Sequence, residues 1–476
     1  MYIVENMRHR LYVIGLLMLS FISRIVIYFN TKLFYFSDFK FYIDGMDRIA
    51  EVGHIPLING NFLYLNSYIG YFFKYVLGSI HYYFIFNSAL AVLASFIVYR
   101  SVILLTNNYK TGLLTLFLHL IYTEFLCWSS IFYTPIIGIF LLSIVIYLSI
   151  YLIQSGEIKR NILAILMLLV TINGSFFFKG EMRHFYILFM IVGLINFRKK
   201  AVFLKFILLG LLLLVSTFTL KSNHILPYKE GNVKANDFKF FGHTLYGGDG
   251  GDGAFIYEEN EKSYYLELDK YLEEHSISNK LRNDRIVRNN FQKAEIKKFI
   301  TKHPFQWIKL QGYKFFRFFG VVPEGASAKI LLTGIFKGDL YLTALFLVFP
   351  FAVMILGIII LSDIKRCFNT LKRPEYMLLF LMVGYYIVGS VFYGQYQERY
   401  RLPLMVCFLL PYLAFLINQF KWERDIVYRK RINIITGLLM IVVWSSQLYN
   451  VVHLNKDRYM NQVNTKIINN RLNIDK

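Results

Sequence analysis

Apolar residues recur along this chain in blocks of about 20, the length an α-helix needs to cross roughly 30 Å of hydrocarbon. The pattern predicts an all-α polytopic membrane protein. Hydrophobic residues make up 56% of the chain and charged residues 17%, above and below the usual shares of a soluble domain. About 11 transmembrane helices are expected, at roughly 11–30, 81–104, 111–128, 132–153, 161–178, 183–197, 202–220, 338–362, 376–393, 402–420 and 432–451.

The first block follows Met7-Arg8-His9-Arg10 and lacks a small-x-small cleavage site, so residues 11–30 read as an uncleaved signal anchor. Arg24 lies towards its far end, where its stem is expected to snorkel to the headgroups. Basic residues then test the topology. With the N-terminus in the cytoplasm, the inner loops carry Arg8 and Arg10; Lys110; Lys159 and Arg160; Arg198, Lys199 and Lys200; Lys365, Arg366, Lys372 and Arg373; and Lys421, Arg424, Arg429, Lys430 and Arg431. The alternate turn near 129–131 has no Lys or Arg, and those around Lys179–Arg183 and Gln395–Arg401 are short and mixed. The parity follows the positive-inside rule. The formal net charge of +22 is thus assigned to topology and anionic membrane lipids, with no nucleic-acid partner.

Two long loops fall outside, at about 31–80 and 221–337. They divide the chain into an N-terminal transmembrane module, 1–220, with about seven helices; a mixed extracytoplasmic loop region, 221–337; and a C-terminal transmembrane module, 338–476, with about four helices. In the first loop, Ser37 or Asp38 can cap a helix through Asp44, Asp47 and Ile49 that ends at Gly53. Asn66 to Gly78 is apolar and aromatic, as in a segment lying at the membrane surface. In the second loop, Gly247 to Gly253 matches one copy of a calcium-binding repeat, but one copy builds no site, and it reads as a flexible turn. Phe291, Ala294, Ile296 and Phe299 share one helix face, and Pro304 opens a further helix. Its continuation, Trp307 to Phe319, mixes aromatics with Lys309, Lys314 and Arg317, the composition of a helix in the headgroup layer.

Several residues carry chemistry. Asp38, just beyond the first span, is either a general base or a helix cap. Lys179 and Arg183, in Lys179-Gly180-Glu181-Met182-Arg183-His184, either hold a phosphate or anchor a tight turn. Arg399 and Arg401, in Gln397-Glu398-Arg399-Tyr400-Arg401-Leu402-Pro403, sit at the mouth of the tenth span on the side where the positive-inside rule disfavours arginine, which favours a phosphate clamp. Glu124 is either a costly acid within the third span or an interfacial one. Cys127, Cys367 and Cys407 lie far apart without a CxxC, so neither a disulfide framework nor a Cys/His metal site is expected. No GxSxG, P-loop, HExxH or dinucleotide fingerprint is present.

With these residues in hand, the chain resembles the glycosyltransferase C superfamily, membrane enzymes that use lipid-phosphate-linked sugars. It is similar to bacterial aminoarabinose transferase and to protein mannosyltransferases. The resemblance rests on Asp38 in Ser-Asp-Phe-Lys-Phe-Tyr with Tyr42 following; on Phe178-Lys179-Gly180; on Lys302-His303-Pro304 before the aromatic–basic helix; and on Glu398-Arg399-Tyr400-Arg401-Leu402-Pro403. These run in the family's order over most of the chain. The acidic pair of protein mannosyltransferases is absent, since Phe39 follows Asp38.

The resemblance implies an inverting transferase in the bacterial cytoplasmic (inner) membrane, with its active site on the extracytoplasmic face. The donor would be a sugar on a polyprenyl phosphate, and the acceptor a lipid, a glycan or a protein. Asp38 would act as catalytic base. Arg399, Arg401 and Lys179 would bind the donor phosphate, with Tyr42, Glu124 and Arg183 as accessories. No metal and no cofactor are expected, because arginines hold a phosphate that is already charged. Two alternatives stay open: a polysaccharide polymerase or ligase using diphosphate-linked glycans, and a lipid-linked-sugar transporter.

Overall fold

The computed structural model describes residues 2–31, 39–53, 64–178, 182, 184–222, 268–281, 285–320, 326–336, 339–363, 370–389, 398–419 and 431–449. Among these residues the regular structure is helical, with no strand. The chain divides into two compact units. Met1–Leu226, Val321–Val383 and Leu402–Lys476 form the first, and Pro227–Gly320 with Gly384–Arg401 the second.

The first unit opens with α1 (Tyr2–Asn30). Its end is closed locally. Asn30 Nδ2 donates to the Val26 carbonyl at 2.8 Å, and the Thr31 hydroxyl donates to that of Ile27, meeting acceptors that a helix terminus leaves over. A helical hairpin follows, α2 (Phe39–Val52) and α3 (Tyr64–Tyr71), continued by a π turn at Phe72–Val76. Gly53 ends α2 at φ +77°, the left-handed position that suits glycine, as the sequence predicts.

Next come α4 (His81–Thr106) and α5 (Tyr109–Ile121). The turn between them is set by two asparagines. Asn107 takes the left-handed conformation at φ 52°, and Asn108 caps α5, its side-chain oxygen accepting from Lys110 N at 2.9 Å and Thr111 N at 3.3 Å. At Gly112 the two helices pass so closely that a Cβ would lie 2.8 Å from the Tyr99 ring. The chain then runs through α6 (Thr123–Trp128), α7 (Pro135–Gln154, with proline in its first turn), α8 (Ile158–Ser175), α9 (Phe185–Ile195) and α10 (Lys200–Ser222). Lys205 of α10 donates to the carbonyls of Leu152 and Ser155, at 2.9 and 2.6 Å, and so caps the end of α7.

The second unit contains residues 268–281, α11 (Arg285–Lys302) and α12 (Pro304–Phe318). Pro304 stands in the first turn of α12, as expected. Leu268, Leu272 and Phe291 form a small buried core, with Tyr271, Ile277 and Val287 against it. Phe291 is thus on the inner face of α11, whereas Ala294, expected on the same apolar face, is exposed.

Back in the first unit are α13 (Ala326–Ile330, continued by a π turn at Leu331–Ile335), α14 (Leu340–Leu361) and α15 (Pro374–Ile387). Asp339 caps α14, accepting from Leu342 N at 2.9 Å. A Cβ on Gly334 would fall 2.6 Å from the Asn30 carbonyl oxygen, so only glycine lets this turn meet the end of α1. Then come α16 (Glu398–Leu404), whose residues up to Arg401 belong to the second unit, and, in the first unit, a π turn at Met405–Leu409, α17 (Leu410–Gln419) and α18 (Arg431–Tyr449). Pro403, inside α16, lacks the N–H that a regular helix would use, and the ladder widens to π spacing just after it.

Among the described residues, seven helices are long and apolar enough to cross a membrane: Met7–Asn30, His81–Thr106, Pro135–Gln154, Ile158–Ser175, Lys200–Leu220, Leu340–Leu361 and Arg399–Gln419. They fall on seven of the expected intervals. The others hold shorter apolar helices, Tyr109–Ile121, Phe185–Ile195, Pro374–Ile387 and Asn433–Ser446. Large apolar side chains on these helices point outward, such as Val170 (74% exposed) and Phe218 (74%). Apolar faces of that extent suit hydrocarbon as the surrounding medium. The chain is a membrane-embedded protein, all-helical in its regular structure among the described residues.

The expected third span is not continuous. Tyr122 breaks it with φ −79° and ψ 92°, α6 is only six residues long, and the chain stays irregular to Thr134. The turn expected at 129–131 is buried: Ser129 is 0% exposed and Ser130 2%. Buried irregular backbone needs partners for its carbonyls. Here α4 supplies them, Asn87 Nδ2 donating to the carbonyls of Ser129 (3.0 Å) and Ile131 (3.4 Å), and the Tyr83 hydroxyl to that of Tyr133 (3.2 Å).

Candidate functional site

The interruption at 122–134 gathers the polar side chains of the first unit. From α1 comes Arg24, which is 0% exposed and does not snorkel as the sequence suggests. Its guanidinium lies over the Phe125 ring, 4.2 Å from the centroid. Nη1 donates to the Phe125 carbonyl at 2.5 Å and to Ser129 Oγ at 3.4 Å. The interruption frees these acceptors, so a buried partner holds the arginine in place of the headgroup layer. On α6, Glu124 is 1% exposed and accepts from the Tyr122 hydroxyl at 2.6 Å. His119 of α5 meets the Phe125 ring at 5.8 Å and bonds the Val406 carbonyl at 2.9 Å, within the π turn after Pro403.

The α2–α3 hairpin packs on the same segment. Tyr42 is fully buried, its ring edge-on to those of Phe132 (6.1 Å) and Tyr133 (5.2 Å). Ser67 donates to the Tyr42 carbonyl at 3.0 Å, and the Tyr83 hydroxyl to Asn66 at 2.9 Å. Asp47 clips the two helices together, taking Lys74 at 3.1 Å and the Tyr75 hydroxyl at 2.8 Å. Burial pulls the Lys74 ammonium down, but its hydrogen bonds with Tyr75 and Asp47 and the Asp47 charge outweigh that, and the net shift is upward. Of the residues singled out in the sequence, the structure brings Tyr42 and Glu124 to this one interruption. Asp38, Lys179 and Arg183 lie outside the described residues.

Arg399 and Arg401 belong to the second unit. Arg401 is 2% exposed, and its Nη1 donates to the carbonyls of Phe318 (3.3 Å) and Gly320 (2.5 Å). It therefore caps the C-terminal end of α12, where carbonyls are left over and a cation suits the helix dipole. Arg399 is half-buried beside the Tyr400 ring, 5.1 Å from its centroid.

No protein-family model matches this chain, and no curated protein matches it.

Arg24 is the functional candidate that the sequence reading passes over. An arginine in a signal-anchor span is equally consistent with snorkelling. Only the partner segment some hundred residues later decides for burial, and that segment carries no Gly or Pro between Tyr122 and Tyr133 to mark the break.

Proposed function

We propose that the protein is a membrane glycosyltransferase that moves a sugar from a polyprenyl-phosphate donor to a lipid, glycan or protein acceptor, with inversion. The reading takes all eleven apolar helices as spans, with the N-terminus in the cytoplasm and the chemistry on the far face of a bacterial inner membrane. It is carried by one observation. The aromatic–basic helix after His303-Pro304 and the Arg399-Tyr400-Arg401 helix head, two of the segments behind the family resemblance, are joined within one compact unit by Arg401. That join supports a shared role for segments some eighty residues apart.

In this reading Asp38 takes the proton of the acceptor hydroxyl as its oxygen forms a bond to the anomeric carbon. The bond from that carbon to the phosphate oxygen breaks, and polyprenyl phosphate leaves with the electron pair. Arg399, with Lys179, meets the charge growing on the phosphate. Arg401 has one nitrogen committed to α12 and contributes chiefly by fixing Arg399 in place.

The test is purified protein incubated with radiolabelled polyprenyl-phosphate sugars, followed by assay of free lipid phosphate. Release supports the transferase. Activity only on a diphosphate-linked glycan would replace it with a polymerase or ligase. Exchange of unaltered labelled substrate across a vesicle membrane, without release, would replace it with a transporter.

A further inference from the structure

Arg24 makes fewer bonds than its surroundings demand. It lies within the apolar stretch Met7–Asn30 and is 0% exposed. A guanidinium keeps its proton in proteins, and a buried charge needs a counter-charge or a full set of acceptors. Nη1 has two acceptors, but Nε and Nη2 have none. The ion pairs Lys74–Asp47, Arg160–Glu157 and Arg373–Glu375 do not involve Arg24, and no carboxylate of the described residues pairs with it. The Phe125 ring face gives partial compensation.

The two unsatisfied atoms are not a random pair. Nε–H and the neighbouring N–H of Nη2 point the same way along one edge of the guanidinium plane. That edge takes two oxygens of a carboxylate or phosphate in parallel. More unsatisfied polar groups lie around it. Ser20 is one turn earlier on the same face of α1, is 4% exposed and has no partner for its hydroxyl. Ser130 Oγ, next to Ser129, and Asn87 Oδ1, whose amide nitrogen holds Ser129, are also buried without partners. A polar network left partly unsatisfied is unfavourable in a low-dielectric interior.

We propose that the Nε/Nη2 edge of Arg24 receives a phosphate-class oxyanion, held between α1 and the interrupted segment 122–134. The apolar surroundings favour a lipid-borne phosphate. Met18, Leu19, Ile22 and Val26, at the other positions of this part of α1, are 50–55% exposed and border the bilayer. The site uses neither Arg399 nor Arg401 and does not depend on the transferase reading.

The test is the thermal unfolding midpoint of the full chain in neutral detergent, titrated with phosphatidic acid, with inorganic phosphate, or with sodium chloride at matched ionic strength. Wild type should rise with phosphatidic acid and not with chloride. A rise with inorganic phosphate as well would make the ligand the free anion or any phosphate, and no rise with it would assign the lipid. Arg24→Lys keeps the charge but loses the two-pronged edge, and should need roughly tenfold more probe for the same rise. Arg24→Met should ignore every probe, and it should start from a somewhat lower midpoint than wild type because it leaves the Phe125 carbonyl without its donor. Equal shifts in wild type and Arg24→Met, or no shift of wild type with either phosphate probe, would overturn the proposal.

Discussion

Arg24 and Arg401 show one residue type serving backbone at breaks in regular structure. Each is buried, and each donates to carbonyls that a helix end or a helix interruption leaves without an intrahelical partner. For Arg401 the consequence is structural. Arg401→Ala strips two carbonyls of their donor and should destabilise the chain by about 1–3 kcal/mol, seen as a lower unfolding midpoint, with partial recovery in Arg401→Lys. Arg399→Ala removes a half-buried side chain and should leave the midpoint within about 0.5 kcal/mol of wild type. Were Arg399→Ala the more destabilising of the two, the capping role of Arg401 would be wrong. Neither burial is legible in the sequence. The partner of Arg24 is 101 residues away and those of Arg401 are 81 and 83 residues away, and no local pattern encodes contacts of that range.

Elements were more legible where the signal is local. Gly53 closes α2 and Pro304 opens α12 because each residue suits one backbone state. The Asn107-Asn108 turn follows the same logic, and Asn108→Ala should cost about 1 kcal/mol of unfolding free energy through the lost cap. Hidden from such signals was the break at Tyr122, where an apolar run continues across irregular backbone and only partners from α1 and α4 make that backbone tolerable. The α2–α3 clip gives a test by pH. The Lys74 pKa is raised, so the charged form is favoured in the folded chain. Its contribution is present below the ordinary lysine value of about 10.4 and disappears as pH climbs through the higher folded value. The gap in melting temperature between wild type and Lys74→Met should stay level from about pH 6 to 9 and close above about 10.5. A gap that closes on the acid side of pH 9 would assign the clip to a different group.

At the scale of the molecule, hydropathy alone located the seven long apolar helices of the described residues in order, because the bilayer dictates the length of a span, while the block at 111–128 is broken at Tyr122. The proposed orientation has its own check. A membrane-impermeant maleimide applied to intact cells should label Glu273→Cys, on an exposed site of the second unit, and spare Lys199→Cys until the membrane is opened. The reverse pattern would turn the protein over and remove the chemistry from the far face. The proposed catalysis would rest on Asp38 and Arg399, and the most direct measurement is release of polyprenyl phosphate by wild type beside Asp38→Asn and Arg399→Ala. The account predicts a loss of at least about 10²-fold in each, with melting curves that stay near wild type. Full turnover by Asp38→Asn would contradict it.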